Sequence, residues 1–210
     1  MVYKGTMGGQ REARAAEIRD RLRRFPRRVA GAAGRPSAVA VTLVTDDDGR
    51  TCFLLTRRSP RLRAHSGQFA LPGGRIDAGE TVPDAARREL AEELGIEAPE
   101  DAVLGWLDDY VTRSGYVITP VVIWAGAALD ELVPNPDEVA HVFVVPLEDL
   151  DVEPRFLTIP ESDAPVIQIP LAGSLIHAPT AAVLYQFREI ALRDRQTRVD
   201  HLEQPVFAWK

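Results

Sequence analysis

The chain has 210 residues, of which 45% are hydrophobic and 27% are charged, and it contains one cysteine. At ~150 residues per domain the length predicts one domain with extensions, and the composition excludes wholesale disorder and fibrous repeats. Cys52 alone permits neither an internal disulfide nor a cysteine-based zinc cluster, so we expect a reducing, cytoplasmic compartment. The apolar runs 37–44 and 117–126 are too short to span a membrane, and we expect no secretory signal.

The charge of the chain is unevenly distributed. Residues 1–35 hold ten Lys/Arg and three Asp/Glu, whereas the remainder holds fifteen basic and twenty-eight acidic residues. The acidic body argues against general duplex binding, because phosphate contacts need clustered Lys and Arg. We therefore expect neither a nucleic acid nor a membrane as partner. The basic leader favours a solvated amphipathic helix, while contact with an anionic partner or a homodimer interface stays open.

The first half of the chain begins with a predicted helix at residues 11–25, where apolar residues recur at spacings of three and four and Pro26 ends the pattern. A linker follows at 29–36. Two strands at 38–44 and 51–56 flank an acidic turn that ends in glycine, which is typical of a hairpin.

Residues 57–72 are polar, basic and interrupted by proline and glycine, which predicts a long functional loop. A helix follows at 83–94, and Gly95 is its predicted stop. We predict further strands at 103–112, 116–125, 139–145, 166–170 and 175–177. A C-terminal helix is predicted at 178–192. Because strands and helices mix without a strict βαβ rhythm, the expected fold is α/β with a mixed sheet between helices.

The segment 74–96, GRIDAGETVPDAARRELAEELGI, carries the strongest chemical signal. At 100° per residue, Glu89, Glu92 and Glu93 lie at roughly 0°, 300° and 40° on a helix, beside an apolar face. Three carboxylates on one face repel one another unless a cation compensates them. Such hard oxygen ligands suit Mg²⁺ or Mn²⁺, which also bridge substrate phosphates.

The residues around this face support a metal site. Gly73 and Gly74 allow close approach of the backbone, whose carbonyl can complete a metal shell. Arg88 can hold Glu80 or Glu89 in one rotamer through a charge-assisted hydrogen bond. The alternative is a surface helix of solvated ion pairs, but the chance occurrence of this pattern is on the order of 10⁻⁷.

Gly74, Glu80 and the run 88–96 match the Nudix box of the Nudix hydrolases at every defining position. This resemblance implies an α/β/α sandwich over roughly residues 35–193 and Mg²⁺- or Mn²⁺-dependent hydrolysis of a nucleoside diphosphate linked to another group. It further implies Glu89 and Glu93 as metal ligands and Glu92 as a third candidate, with Glu80 as a supporting or more distant ligand. The implied division of the chain is a basic helix and linker at 1–35, a Nudix domain at 36–193 and a C-terminal tail at 194–210.

Residues 54–74, LLTRRSPRLRAHSGQFALPGG, resemble the motif upstream of the box in coenzyme A pyrophosphatases, with Leu71 in place of the motif's phenylalanine. The segment brings several basic residues next to the metal site, and arginine forks match phosphate oxygens. A solvated loop is the alternative for these arginines. The candidate substrate-binding residues are Arg58, Arg63, Gly67, Gly73 and Gly74.

The coenzyme A resemblance implies cleavage to 4′-phosphopantetheine and adenosine 3′,5′-bisphosphate, with acyl or oxidised forms as further substrates. Glu92 or Glu138 would take the proton from the attacking water, and Arg88 completes the catalytic set. Glu138 is equally compatible with an exposed loop carboxylate.

One departure from the motif leaves other functions open. Residues 176–181 read IHAPTA, whereas the coenzyme A pyrophosphatases that this segment resembles show Ile-Trp-Gly, one residue, and Thr-Ala. We therefore expect one wall of the pocket to differ. This difference in the pocket wall favours ADP-ribose, a dinucleotide or a nucleoside triphosphate as an alternative substrate. A catalytically silent nucleotide-sensing domain is a third hypothesis. His177 is either a pocket residue or a structural one.

Overall fold

The computed structural model describes residues 7–31, 33–62, 67–126 and 128–209. Its three α-helices are α1 (Met7–Arg24), α2 (Val82–Leu94) and α3 (Thr180–Phe187). The strands are β1 (Arg35–Thr45), β2 (Thr51–Arg58), β3 (Phe69–Ala70), β4 (Gly73–Arg75), β5 (Val103–Trp106), β6 (Tyr110–Val111), β7 (Tyr116–Gly126), β8 (Val139–Pro146), β9 (Arg155–Ile159), β10 (Ser162–Leu171) and β11 (Ser174–His177). Short 3₁₀ turns lie at Glu100–Ala102, Ala128–Glu131, Leu147–Leu150 and Val206–Ala208.

The main sheet is mixed and has β1 at its centre. The strand order is β3-β2-β1-β7-β5, with β4 also on β1, β6 on β7 and β8 on β2. The pair β1–β7 is parallel, and the other pairs of this sheet are antiparallel. Strands β9, β10 and β11 form a second, antiparallel sheet.

Both faces of the main sheet are covered, which explains the long apolar strands in the sequence. Alternate residues of β1 and β2 belong to different cores, since neighbouring side chains of a strand point to opposite faces. Ala40 and Leu54 pack with the apolar face of α2. Val41 and Phe53 pack with α1 and α3. The predicted α/β/α sandwich with a mixed sheet and an N-terminal helix is confirmed.

Two boundaries at the front of the chain differ from the sequence prediction. Helix α1 begins at Met7 rather than residue 11, because its first turn has no apolar periodicity to reveal it. Strand β1 begins at Arg35, so the linker is shorter than predicted. The predicted loop 57–72 contains the end of β2 and the two-residue strand β3. These two strands pair with each other.

Further elements differ in the second half of the chain. The strand predicted at 103–112 is divided into β5 and β6, and β10 extends beyond the predicted 166–170 at both ends. Strand β9 was not predicted, because it is an exposed edge strand without alternating burial. The predicted helix 178–192 is wrong beyond Phe187, where the chain continues as the wider π-helical turn Arg188–Leu192. Arg188 is buried in this turn and pairs with the adjacent Glu189. None of the described helices is long and apolar enough to cross a membrane.

Candidate functional site

Helix α2 carries the candidate glutamates, and its local sequence fixes both ends. The hydroxyl of Thr81 accepts a hydrogen bond from the amide of Asp84, at 3.3 Å between Oγ1 and N. Pro83 occupies the first turn, where its missing N–H costs nothing. Gly95 ends the helix in the left-handed region at φ 74°. The caps therefore set which residues of the box lie on the helix; the stop at Gly95 was predicted from the sequence, whereas the cap at Thr81 was not.

Gly73 and Gly74 on β4 bring backbone against the helix and the central strand. A Cβ on Gly73 would lie 2.4 Å from the carbonyl oxygen of Ala38, and one on Gly74 would lie 2.1 Å from Oε1 of Glu89. The amide of Gly73 also donates to Oε1 of Glu93, at 3.3 Å. Only glycine allows this approach of β4 to the two carboxylates.

Arg88 lies at the centre of a network of carboxylates. Its Nε and Nη2 donate to Glu80 at 2.9 and 3.2 Å, and its Nη1 donates to Glu89 at 2.8 Å and Glu92 at 2.9 Å. Nη2 also donates to the carbonyl of Arg75, at 2.9 Å. The hydrogen bond from Arg88 is the main cause that lowers the pKa of Glu80. The predicted contacts of Arg88 with Glu80 and Glu89 are therefore present.

Glu93 is the buried carboxylate of the box, with 3% of its surface exposed. Burial is the main cause that raises its pKa to about 7; Glu89 and Glu138 add to the rise, while the Gly73 amide and Arg58 oppose it. Burial likewise raises the pKa of Glu89, against the opposing effect of Arg88. These two carboxylates share a poorly hydrated position in which like charges repel.

Glu138 joins this group from a turn before β8. The amide of Asn135 donates to the carbonyl of Glu93 at 2.9 Å, which fastens the turn to the end of α2. The side-chain amide of Asn135 donates to Oε1 of Glu138 at 3.3 Å, and the amide of Ser59 donates to the carbonyl of Glu138 at 2.8 Å. Glu138 is half-buried, and its charge acts on both Glu89 and Glu93. By contrast, 53% of the Glu92 side chain is exposed.

The carboxylate oxygens of these residues fit a divalent cation. Among the described residues, however, no three His, Cys, Asp or Glu side chains are already grouped so that they could hold one. Within the same part of the chain, the Glu93 carboxylate accepts one hydrogen bond, from Gly73, and no arginine pairs with it. Carboxylate oxygens are the ligands that Mg²⁺ and Mn²⁺ prefer. A cation beside Glu89 and Glu93 would offset the cost of burying these charges and the smaller repulsion from neighbouring carboxylates, which together raise both pKa values.

A cavity of about 710 Å³ lies against Gly73 and Gly74. The described residues that line it include four arginines and no carboxylate. Of the predicted substrate-binding residues, Arg58, Gly67, Gly73 and Gly74 line this cavity, while Arg63 lies outside the described residues. The box glutamates and Glu138 are not among the lining residues, but Glu89 and Glu93 lie against the Gly73–Gly74 backbone that borders the cavity. Among the described residues, Nε of Arg58 is buried and has no hydrogen-bond partner.

The sequence left His177 as either a pocket residue or a structural one, and several other cavity residues were not singled out. His177 lines the cavity, where its ring meets Phe207 edge-on at 5.1 Å between centroids and its Nε2 lies 3.0 Å from Nε2 of Gln168. Burial lowers the pKa of His177. The departing segment 176–181 thus contributes directly to the wall. The remaining unpredicted polar lining residues are Arg35, Ser37, Gln68, Arg75, Thr112, Ser114, Tyr116, Ser174, Thr180 and Gln204.

The sequence profile of a family described as the NUDIX domain matches residues 34–168. The chain belongs to the Nudix family. Nudix hydrolase 3 of Caenorhabditis elegans is 41% identical over 116 residues, which cover 54% of this chain and 48% of that protein. The uncharacterized Nudix hydrolase NudL of Pectobacterium atrosepticum is 40% identical over 116 residues, which cover 55% of this chain and 59% of that protein. The chain thus spans about half the length of these curated relatives.

Among solved structures, the chain is similar to the Nudix hydrolase RenU from M. smegmatis, with a TM-score of 0.49 and 21% identity over 76% of this chain and 86% of that one. The Nudix match includes every candidate catalytic, metal-binding and substrate-binding residue. It ends before β11, α3 and the tail, so the cavity wall at His177 and Phe207 lies beyond it.

Proposed function

We propose that this Nudix protein is a divalent-metal-dependent pyrophosphohydrolase that cleaves the diphosphate of coenzyme A or its acyl and oxidised derivatives. The products would be 4′-phosphopantetheine and adenosine 3′,5′-bisphosphate. The observation that carries the proposal is the junction at Gly73–Gly74. There the buried Glu93 and the half-buried Glu89 lie against the backbone of a cavity whose described lining is cationic.

The charge of the cavity supports an anionic substrate. Guanidinium forks match phosphate oxygens in pairs, and the described lining contains no carboxylate to repel a phosphate. A volume of about 710 Å³ lies within the usual range for small-molecule sites, roughly 300–1,000 Å³. The upstream motif 54–74, which resembles coenzyme A pyrophosphatases, supplies Arg58, Gly67 and the two glycines to this lining.

Each candidate residue has a distinct proposed role. Glu89 and Glu93 would hold Mg²⁺ or Mn²⁺, which when bound polarises the diphosphate and neutralises charge in the transition state. Arg88 keeps Glu89 in place through the ion pair at 2.8 Å. Glu138 would take the proton from the attacking water, because it is half-buried beside the other two carboxylates. Glu92 remains the alternative base.

The substrate side has its own proposed assignments. Arg58 would bind the diphosphate, because it lines the cavity and its charge also acts on Glu93. The proposed contact of Arg63 with a phosphate rests on the sequence motif alone. Gly67 adopts a φ of 70°, which only glycine takes readily, and would shape the turn that closes this side of the cavity.

A second candidate substrate class is another nucleoside diphosphate derivative, namely ADP-ribose, a dinucleotide or a nucleoside triphosphate. The observation that favours it is the wall formed by residues 177–180, where the sequence departs from the coenzyme A motif. A catalytically silent nucleotide-sensing domain is a third hypothesis, which the presence of all four box glutamates disfavours.

The test is mass-spectrometric product analysis after incubation with coenzyme A in Mg²⁺, in Mn²⁺ and in chelator. We expect phosphopantetheine and adenosine 3′,5′-bisphosphate with metal and intact coenzyme A with chelator. Glu93→Gln should abolish turnover, whereas Glu97→Gln, at an exposed position just beyond the helix, should not. Intact coenzyme A in every condition would reject this substrate, and a panel of ADP-ribose, dinucleotides and nucleoside triphosphates would then identify the alternative. Binding of nucleotides with no turnover of any substrate would favour the silent domain.

A further inference from the structure

Three residues at one side of the cavity form a cationic cluster that the proposed mechanism does not use. Arg35, Arg75 and Tyr116 all line the cavity. Cζ of Arg35 lies 4.0 Å from the centre of the Tyr116 ring, and Cζ of Arg75 lies 5.9 Å from it. Nη2 of Arg75 donates to the hydroxyl of Tyr116 at 3.1 Å. The ring therefore brings two guanidinium groups together.

The register of the sheet fixes this cluster. Arg35 is paired with Tyr116 across the parallel strands β1 and β7, and Arg75 is paired with Ser37 across β1 and β4. The side chain of Arg35 also donates to the carbonyl of Ser114, at 2.5 Å between Nη2 and O. Because the three residues lie on three hydrogen-bonded strands, their positions do not depend on a flexible loop.

The cluster carries uncompensated positive charge. Within the part of the chain that the structure describes, neither Arg35 nor Arg75 forms an ion pair with a carboxylate, whereas Arg50, Arg88 and Arg113 each do. The hydrogen bond from Arg75 is the main cause that lowers the pKa of Tyr116. Two like charges around one ring leave a favourable position for an anion.

The cluster is also separate from the arginines proposed to bind the diphosphate. Arg58 ends β2, whose last residues pair with β3 and β8. The cluster lies instead on β1, β4 and β7, and Gly73 and Gly74 of β4 also line the cavity. The two cationic groups therefore lie on different strands and border one cavity.

We propose that Arg35, Arg75 and Tyr116 form a second phosphate subsite, which binds a phosphate monoester of the substrate away from the bond that is cleaved. The chemical class it selects is a nucleoside 3′,5′-bisphosphate group, so in coenzyme A it would hold the 3′-phosphate. This inference rests on the proposed function for its substrate. The subsite would give the enzyme a preference for coenzyme A over diphosphates that have no monoester.

Binding without turnover tests the subsite directly. Calorimetry in chelator would compare adenosine 3′,5′-bisphosphate with adenosine 5′-monophosphate on the full chain. We expect the bisphosphate to bind roughly 10- to 100-fold more tightly, as for a charge-assisted contact. Arg75→Gln and Tyr116→Phe should reduce this ratio, with the larger effect from Arg75→Gln. Arg50→Gln, on the distant β1–β2 turn, is the matched control and should keep it.

Kinetics separates the subsite from the proposed function. Arg75→Gln should raise KM for coenzyme A about tenfold with little change in kcat, and should leave 3′-dephospho-coenzyme A unaffected. Equal binding of the two nucleotides by the unaltered protein, or an unchanged ratio in folded Arg75→Gln, would overturn the subsite. A retained binding ratio without any coenzyme A cleavage would reject the proposed substrate and leave the subsite standing. Thermal unfolding of each variant verifies that it is folded.

Discussion

The backbone amide of Gly73 donates a hydrogen bond to the carboxylate of Glu93, with 3.3 Å between N and Oε1. The two residues lie 20 positions apart, one on a strand that borders the cavity and the other on the buried side of α2. The bond therefore couples the position of the candidate metal ligand to the backbone that the substrate would meet.

Gly74→Ala should slow the proposed reaction and destabilise the fold by similar free energies. The added Cβ would lie 2.1 Å from Oε1 of Glu89, so the carboxylate or the strand must move. A displacement of about 1 Å costs on the order of 100-fold in rate, while local overpacking costs about 1–3 kcal/mol. Steady-state kinetics and thermal unfolding measure the two effects. Gly31→Ala, where a Cβ would meet nothing within 4 Å, is the control and should change neither quantity greatly.

Glu138→Gln should lower kcat by about 10²–10⁴, as expected for loss of a general base. Glu92→Gln should cost far less, because 53% of the Glu92 side chain is exposed and it pairs with Arg88. Steady-state kcat of the two folded variants decides between them. The reverse order of effects would assign the base to Glu92.

Glu203→Gln should reduce stability at neutral pH and have no effect in acid. Burial alone would raise the pKa of Glu203, but hydrogen bonds from Arg113, the Gln204 amide and Ser162 together lower it. A carboxyl whose folded pKa lies below its unfolded value of 4.5 contributes stability above that value and loses it as the pH falls. Loss of one charge-assisted hydrogen bond should lower the free energy of unfolding by about 1–3 kcal/mol at pH 7.

Urea unfolding of both proteins from pH 7 to pH 2 measures that difference. The two unfolding free energies should converge only as the pH falls through the folded pKa, which lies below the unfolded value of 4.5, because the carboxyl is then protonated in both states. A constant difference across this range would contradict the sign of the shift. Asp163→Asn, at an exposed position beside Ser162, is the control and should leave stability unchanged at every pH.

Phe207→Ala should raise KM with little change in the melting temperature. The ring lines the cavity and contacts His177, yet 55% of the residue is exposed, so little core packing is lost. An aromatic contact of about 0.5–1.5 kcal/mol corresponds to roughly a 2- to 12-fold increase in KM. Val206→Ala is the matched control, because Val206 is similarly exposed and does not line the cavity. Equal effects of the two variants would indicate a general disturbance of the tail.

The sequence was most informative where the cause of structure is local. Helix α2 was predicted because its glycine stop and its apolar face lie within one short segment, and β1 and β2 were predicted from their apolar runs around a turn. The contact of Arg88 with Glu80 could be anticipated from the spacing within the box. Helical geometry also placed Glu92 beside Glu93, but it could not indicate that one side chain is exposed and the other buried.

The remaining parts of the site depend on long-range pairing, which one sequence does not contain. Arg35 and Tyr116 are joined by the register of β1 on β7, although they lie in separate segments with no shared motif. Phe207 reaches His177 because the chain after α3 returns to the core, where Leu202 is buried. Strand β9 has no alternating pattern because both of its faces are largely exposed.

The parallel pairing of β1 with β7 has a consequence for how the protein loses activity. This pairing closes a long loop of chain, whose entropic cost is recovered only when the whole sheet forms. The glycines of β4 hydrogen-bond to the same central strand, so the carboxylate cluster and both arginine groups belong to one cooperative unit. Activity and global structure should therefore disappear at the same denaturant concentration, with no inactive folded state populated between them.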